Sequence, residues 1–236
     1  MALRITILFV KIRSNPKEVI MRDLIIQKVL DKKVVAIVRG VYGEDCVNLA
    51  KALYAGGVEL MEVTFDQSNP DLYSRTSDTI AQLVSHMGDK MIFGAGTVTS
   101  LQTLELAKNA GAKFVVSPDT NEAVIKATVA AGMVSMPGAM TPTEILTAHE
   151  YGADFVKVFP TSGLGASYIK AVCGPINHVR LLAVGGVSEK NVGEFLKAGC
   201  VGAGVGGNLV NKEWIKNGEF EKITALAKEL MANAAV

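Results

Sequence analysis

A single lysine interrupts an otherwise apolar run, Phe155-Val156-Lys157-Val158-Phe159-Pro160. A strand apolar on both faces belongs to the covered parallel sheet of an α/β protein. Lysine is rarely buried there unless it is paired or at work. Burial disfavours the charged form, and a neutral amine is a nucleophile towards carbonyls. The plain structural alternative is a lysine near a strand end that keeps its head in water. A second charge sits in Leu60-Met61-Glu62-Val63-Thr64-Phe65, and glycine pairs occur in Val184-Gly185-Gly186-Val187 and Gly204-Val205-Gly206-Gly207-Asn208. Backbone N–H groups in such loops can converge on an anion, although glycine pairs also serve ordinary tight turns. An amine, a carboxylate and an anion site together point to Schiff-base chemistry on a phosphorylated keto compound. The iminium draws electrons from a carbon–carbon bond beta to it, and the carboxylate shuttles protons. That chemistry needs neither metal nor cofactor.

These residues must be carried by strands that share one site. A recurring punctuation of glycine after an amphipathic segment appears around Gly57, Gly111, Gly132, Gly152 and Gly199. Each glycine supplies a helix cap and is followed by a short apolar run. The runs give eight strands: Val34–Arg39, Leu60–Thr64, Met91–Gly94, Phe114–Ser117, Val134–Met136, Phe155–Phe159, Leu181–Val184 and Val201–Val205. Helical patterns include Asp45–Ala55, Leu101–Ala110, Asn121–Ala131, Thr143–Tyr151 and Glu189–Ala198. Thr143-Glu144 and Ser188-Glu189 read as helix starts. Arg22–Asp31 is expected to plug the barrel bottom, and Phe220–Ala232 to be the last helix. Eight alternating units predict an α/β fold closed into a single (β/α)8 TIM barrel, with an open doubly wound sheet as the other possibility.

Barrel active sites form at the C-terminal ends of the strands. Arg39 closes the first, Thr97 follows the third, and Ser117-Pro118 closes the fourth. Strand alternation sends Met61, Val63 and Phe65 outward and Leu60, Glu62 and Thr64 inward. The same test turns Val156 and Val158 outward, and Phe155, Lys157 and Phe159 inward. Glu62 and Lys157 can then face each other across the barrel, as a working pair or as a buried structural ion pair.

Composition narrows the function classes. The 236 residues carry a formal net charge of +1, with basic side chains scattered rather than clustered. No nucleic-acid footprint or membrane-surface patch is expected. Cys46, Cys173 and Cys200 are far apart, which suits reduced thiols in the cytoplasm. His86, His149 and His178 lack metal-ligand spacing. The apolar run Ile5–Val10 is too short for a membrane span and lacks the marks of a signal peptide. Residues 1–20 read as an extension outside the core, Met21 as an alternative start, and residues 21–236 as one barrel domain. The apolar content of 49% leaves surface for a subunit contact.

From about Leu24 onward the chain resembles the 2-keto-3-deoxy-6-phosphogluconate and 2-keto-4-hydroxyglutarate aldolase family, the class I aldolases. The resemblance rests on Gly57-Val58-Glu59-Leu60-Met61-Glu62-Val63-Thr64-Phe65 and on Gly152-Ala153-Asp154-Phe155-Val156-Lys157-Val158-Phe159-Pro160. Gly94-Ala95-Gly96-Thr97-Val98, Ser117-Pro118 and Met136-Pro137-Gly138 match in order.

The resemblance implies an aldehyde-lyase of Entner–Doudoroff metabolism that forms homotrimers. It would cleave 2-keto-3-deoxy-6-phosphogluconate to pyruvate and glyceraldehyde 3-phosphate, and also 4-hydroxy-2-oxoglutarate to pyruvate and glyoxylate. Lys157 would form the Schiff base and Glu62 would be the general acid/base. Arg39 and Thr97 would hold the pyruvate moiety, with Pro118 and Phe159 lining it. Gly185, Gly186, Gly206 and Gly207 would hold the phosphate. Two departures stand out: Asp66 replaces an arginine that contacts substrate carboxylate, and Gly207 replaces a phosphate-binding serine. Asp66 is expected to repel a carboxylate unless Arg39 or Arg75 compensates, or the galactonate-derived epimer is preferred. A phosphosugar epimerase or a thiamine-phosphate-synthase-like barrel would explain the glycines but not Lys157 with Glu62.

Overall fold

All eight apolar runs form strands in a computed structural model, which describes residues 16–236. The proposed extension therefore lies mostly outside the described residues, and Met21 falls inside a helix, α1 (Pro16–Lys32). Strands β1 (Val34–Val38), β2 (Leu60–Thr64), β3 (Ile92–Gly96) and β4 (Phe114–Val116) alternate with α2 (Gly43–Ala55), α3 (Tyr73–Met87) and α4 (Leu101–Asn109). Next come α5 (Glu122–Ala130), β5 (Val134–Met136), β6 (Gly138–Ala139), α6 (Pro142–Glu150), β7 (Val156–Val158) and α7 (Gly165–Cys173). The chain ends with β8 (Leu181–Val184), α8 (Val192–Lys197), β9 (Gly202–Val205), α9 (Lys212–Lys216) and α10 (Phe220–Asn233).

The strands are all parallel, in the order β5-β4-β3-β2-β1-β9-β8-β7-β6. First and last strands pair with each other, as a barrel requires and a doubly wound sheet does not. The fifth barrel position differs from expectation. Pro137 divides it into β5, which pairs with β4, and β6, which pairs with β7. Proline has no N–H to give a ladder. The Pro137 carbonyl still accepts from Lys157 N at 2.8 Å, so chain continuity closes the wall where the ladder breaks.

Alternation along the strands separates two cores. Met61, Val63, Phe65, Val156 and Val158 pack outward under the helices. Leu60, Phe114, Val134, Met136, Phe155 and Leu182 fill the barrel interior, where Ile25 and Val29 of α1 join them from below. The plug is tied down by Arg22 on Asp154 (2.7 Å) and by Lys28 and Lys32 on Glu59 (both 2.6 Å). Glu59 directly precedes β2 and Asp154 lies two residues before β7, so these pairs hold α1 against the N-terminal rim. Residues Gly57, Gly111, Gly132, Gly152 and Gly199 all take the positive φ expected of helix-ending caps.

Two helix starts need correction. Helix α6 is capped by Thr141, which accepts from Glu144 N at 3.3 Å, with Pro142 at its first position. Thr143 is already inside it. Helix α8 begins only at Val192, because the Asn191 side chain accepts from Ser188 N at 2.8 Å and holds the preceding turn. Helices α3 and α7 fill gaps where the alternating pattern expects a helix without assigning its bounds, and α9 is an addition before the last helix. In α3 the buried face includes Thr76 and Thr79, so its apolar stripe is masked by hydroxyl-bearing side chains. Among the described residues no helix is long and apolar enough to cross a membrane.

Candidate active site

A cavity of about 570 Å³ opens at the C-terminal ends of the strands, a size suited to a small ligand. All ten residues nominated from the sequence line it. Lys157 and Glu62 stand deepest, on β7 and β2, with 8% and 2% of their surfaces exposed. Beneath them Val35, Val116, Met136 and Leu182 make an apolar floor. Lys157 Nζ lies 4.6 Å from the Phe159 ring centroid. Glu62 Oε2 is buried without a hydrogen-bond partner. A structural ion pair would be expected to satisfy that oxygen, since a buried carboxylate otherwise loses its hydration without compensation.

Burial pushes Glu62 up to about 7, against the opposing charges of Lys157 and Arg39. Burial likewise pulls Lys157 below the usual lysine value, with the Glu62 carboxylate working against the shift and Arg39 adding to it. Desolvation wins at both positions: it disfavours the ammonium form of Lys157 and the carboxylate form of Glu62, and with its pKa at about 7 Glu62 can give or take a proton near neutrality.

The raised Glu62 pKa has a stability consequence. A carboxyl whose pKa is raised contributes stability that is complete below its unfolded value, 4.5, and is lost as pH rises through about 7. Glu62→Gln is therefore expected to gain on the parent by on the order of 2 kcal/mol between about pH 5 and about pH 8, since each tenfold change in proton affinity is worth ~1.4 kcal/mol. Urea denaturation at each pH measures the difference. Parallel stability profiles would contradict a buried carboxyl that titrates near neutrality.

Thr97 follows β3 with φ +55°, although β-branched residues avoid that region. Such strain costs about 1–3 kcal/mol and persists only where neighbours impose it. Here Gly96 O accepts from Phe65 N (2.9 Å), Val98 N donates to Val116 O (3.2 Å), and Ser117 Oγ donates to Val98 O (2.6 Å). Gly96 also leaves room for the Glu62 carboxyl: a Cβ there would lie 2.7 Å from Glu62 Cδ and Oε2. Pro118 is held close by Gly138, whose own Cβ would meet Pro118 O at 2.3 Å.

Gly185 and Gly186 take φ of +97° and +78° and lie against the chain after β7. Gly206 and Gly207 follow β9, and a Cβ on Gly207 would meet nothing within 4 Å. Asn208 and Lys212 also line the cavity. Neither is nominated from the sequence, and Lys212 lies on α9, the helix without a sequence counterpart.

Asp66 does not line the cavity. Its Oδ1 accepts from Ser68 N (3.0 Å) and Ser68 Oγ (2.7 Å), and these bonds lower its pKa. The carboxylate at this position is engaged in a turn, with the Arg39 charge adding to the lowering of its pKa. Arg39 lines the cavity, whereas Arg75 lies 4.6 Å over the Tyr42 ring and does not. Among the described residues no three His, Cys, Asp or Glu side chains come together as a metal-holding group.

A family model described as KDPG and KHG aldolase matches residues 25–226. The 2-dehydro-3-deoxy-6-phosphogalactonate aldolase of Escherichia coli (strain K12) is 33% identical over 176 residues, 74% of this chain and 83% of the relative. The 2-dehydro-3-deoxy-phosphogluconate aldolase of Dickeya dadantii (strain 3937) is 34% identical over 192 residues, 81% and 87% of the two chains. A solved structure of KDPG aldolase from Legionella pneumophila, with pyruvate captured as a covalent carbinolamine, superposes with a TM-score of 0.75. It is 26% identical and covers 92% of this chain and 98% of its own. On this agreement of sequence and barrel, the chain belongs to the KDPG and KHG aldolase family and is an aldehyde-lyase.

Proposed function

We propose that the chain is a class I aldolase acting on 2-keto-3-deoxy-6-phosphogluconate, with Lys157 as the Schiff-base lysine and Glu62 as the general acid/base. The observation that carries this is the deep end of the cavity, where a desolvated amine and an unpartnered carboxyl share an apolar floor. The Lys157 amine adds to the C2 carbonyl, and Glu62 supplies and removes the protons needed to expel water. The iminium accepts the C3–C4 bonding pair as the C4 hydroxyl loses its proton, which releases glyceraldehyde 3-phosphate. Protonation of the enamine at C3 and hydrolysis then give pyruvate and the free lysine.

Arg39 and Thr97 bind the keto-acid end, lined by Pro118 and Phe159. Gly185, Gly186, Gly206 and Gly207 turn toward the phosphate. The covalent carbinolamine of the Legionella enzyme supports the same chemistry at Lys157. A second reading, preference for the galactonate-derived epimer, is favoured by Asp66, which removes the cation the family usually places there. Cleavage of 4-hydroxy-2-oxoglutarate to pyruvate and glyoxylate would use the same amine. Work in the cytoplasm suits the three free thiols, and a homotrimer would cover exposed apolar residues such as Leu101 and Met140.

The test compares kcat/KM for both phosphorylated epimers and for 4-hydroxy-2-oxoglutarate. The gluconate-derived epimer is expected to lead, and the unphosphorylated acid to trail by about a hundredfold for want of the anion contact. Equal values with and without phosphate would remove the glycine loops from substrate binding.

A further inference from the structure

Thr97 lines the cavity in a left-handed conformation that a threonine avoids, and its own carbonyl has a dedicated partner. Gln67 Nε2 donates to Thr97 O at 2.8 Å. The orientation of that amide is dictated by the Thr97 carbonyl, which can only accept, and the hydroxyls on its other side suit it. With the NH2 group turned to Thr97, Gln67 Oε1 accepts from Tyr73 Oη at 2.9 Å and from Thr99 Oγ1 at 3.0 Å. Tyr73 is held in turn by an edge-on contact with Phe65, whose ring centroid is 5.4 Å away. Asp66 accepts from Ser68 N and Oγ and so shapes the turn that carries Gln67. Gln67 itself does not line the cavity.

We propose that Gln67 is a positioning residue: its amide fixes the Thr97 peptide in the left-handed conformation that presents Thr97 to the keto-acid end of the substrate. The inference rests on the aldolase reading given above. At the position where the family usually places an arginine directed at substrate carboxylate, this chain has an acid that builds a turn. The loop Asp66–Ser68 then acts on the substrate through the backbone of Thr97 rather than by touching it.

Gln67 is exposed, so its replacement leaves the packed core intact. Gln67→Ala removes the bond to Thr97, and Gln67→Glu keeps the shape but turns an oxygen toward the Thr97 carbonyl. Both are assayed in the condensation direction with pyruvate and glyceraldehyde 3-phosphate, alongside the rate of pyruvate-dependent inactivation by borohydride. Expected are a fall in kcat/KM for pyruvate of about tenfold for Gln67→Ala and more for Gln67→Glu, with slower trapping. The KM for glyceraldehyde 3-phosphate should stay within about twofold, because the glycine loops proposed to hold its phosphate make no contact with Gln67. Parent-like pyruvate kinetics in both variants would overturn the proposal, as would equal losses for pyruvate and aldehyde, the sign of a general disturbance. Failure of pyruvate to trap the parent protein would instead overturn the aldolase mechanism itself, and is read before either variant.

Discussion

Lys157→Ala is expected to abolish carbon–carbon cleavage, with a fall in kcat of at least about 10⁴-fold, because no other amine on the cavity can replace the nucleophile at that depth. Arg39 cannot be deprotonated in a protein, and Lys212 comes from α9 with its Nζ beside Gly40, where a Cβ would meet it at 3.2 Å. The covalent step gives a direct readout. Borohydride with pyruvate should add a reduced pyruvyl group to the parent at Lys157, and nothing to the variant. Lys157→Met is the companion variant, since it keeps the length of the side chain without its amine. Taking an amine off an apolar floor should leave the fold at least as stable while activity is lost. Retained turnover in a folded Lys157→Met protein would refute the Schiff base.

The second large effect is expected from a residue that does no chemistry. Gly96→Ala places a methyl group 2.7 Å from Glu62 Cδ and Oε2, closer than such contacts are found, so one group must move. Gly96 sits in β3 with its carbonyl bonded to Phe65 N, and β3 pairs with β2 along Thr64↔Gly96. The strands are therefore held, and the carboxylate is displaced toward the cavity. A displacement near 1 Å in an acid/base group can lower the rate by about a hundredfold. We expect kcat/KM to fall by about that factor, with a loss of thermal stability of only a few degrees, of the order that ~1 kcal/mol produces. Unchanged kcat/KM would show that Glu62 relaxes freely and that its placement does not depend on Gly96.

Legibility of the sequence followed the range of the interaction involved. Strand alternation is a local rule, so the outward faces Met61-Val63-Phe65 and Val156-Val158 could be separated from inward Glu62 and Lys157. The barrel plug was legible because Arg22–Asp31 is an amphipathic segment ahead of the first strand. Features that depend on packing partners were not. The buried face of α3 uses Thr76 and Thr79, which only a tertiary neighbour marks as core. The fifth barrel position breaks at Pro137, which has no N–H for a ladder, and only the assembled barrel shows that β5 pairs with β4 while β6 pairs with β7.

At the cavity the same division holds. The sequence by itself determined which residue types could do chemistry, which strands carry them and which way they point, since each follows from a period of two residues and a parallel order. Only the tertiary structure decided the direction of Asp66, the presence of Lys212 and the bond from Gln67 to Thr97, thirty residues away in the chain. The physical reason is that a side chain's partner across a closed barrel is set by curvature and loop conformation, which no local pattern of residues encodes.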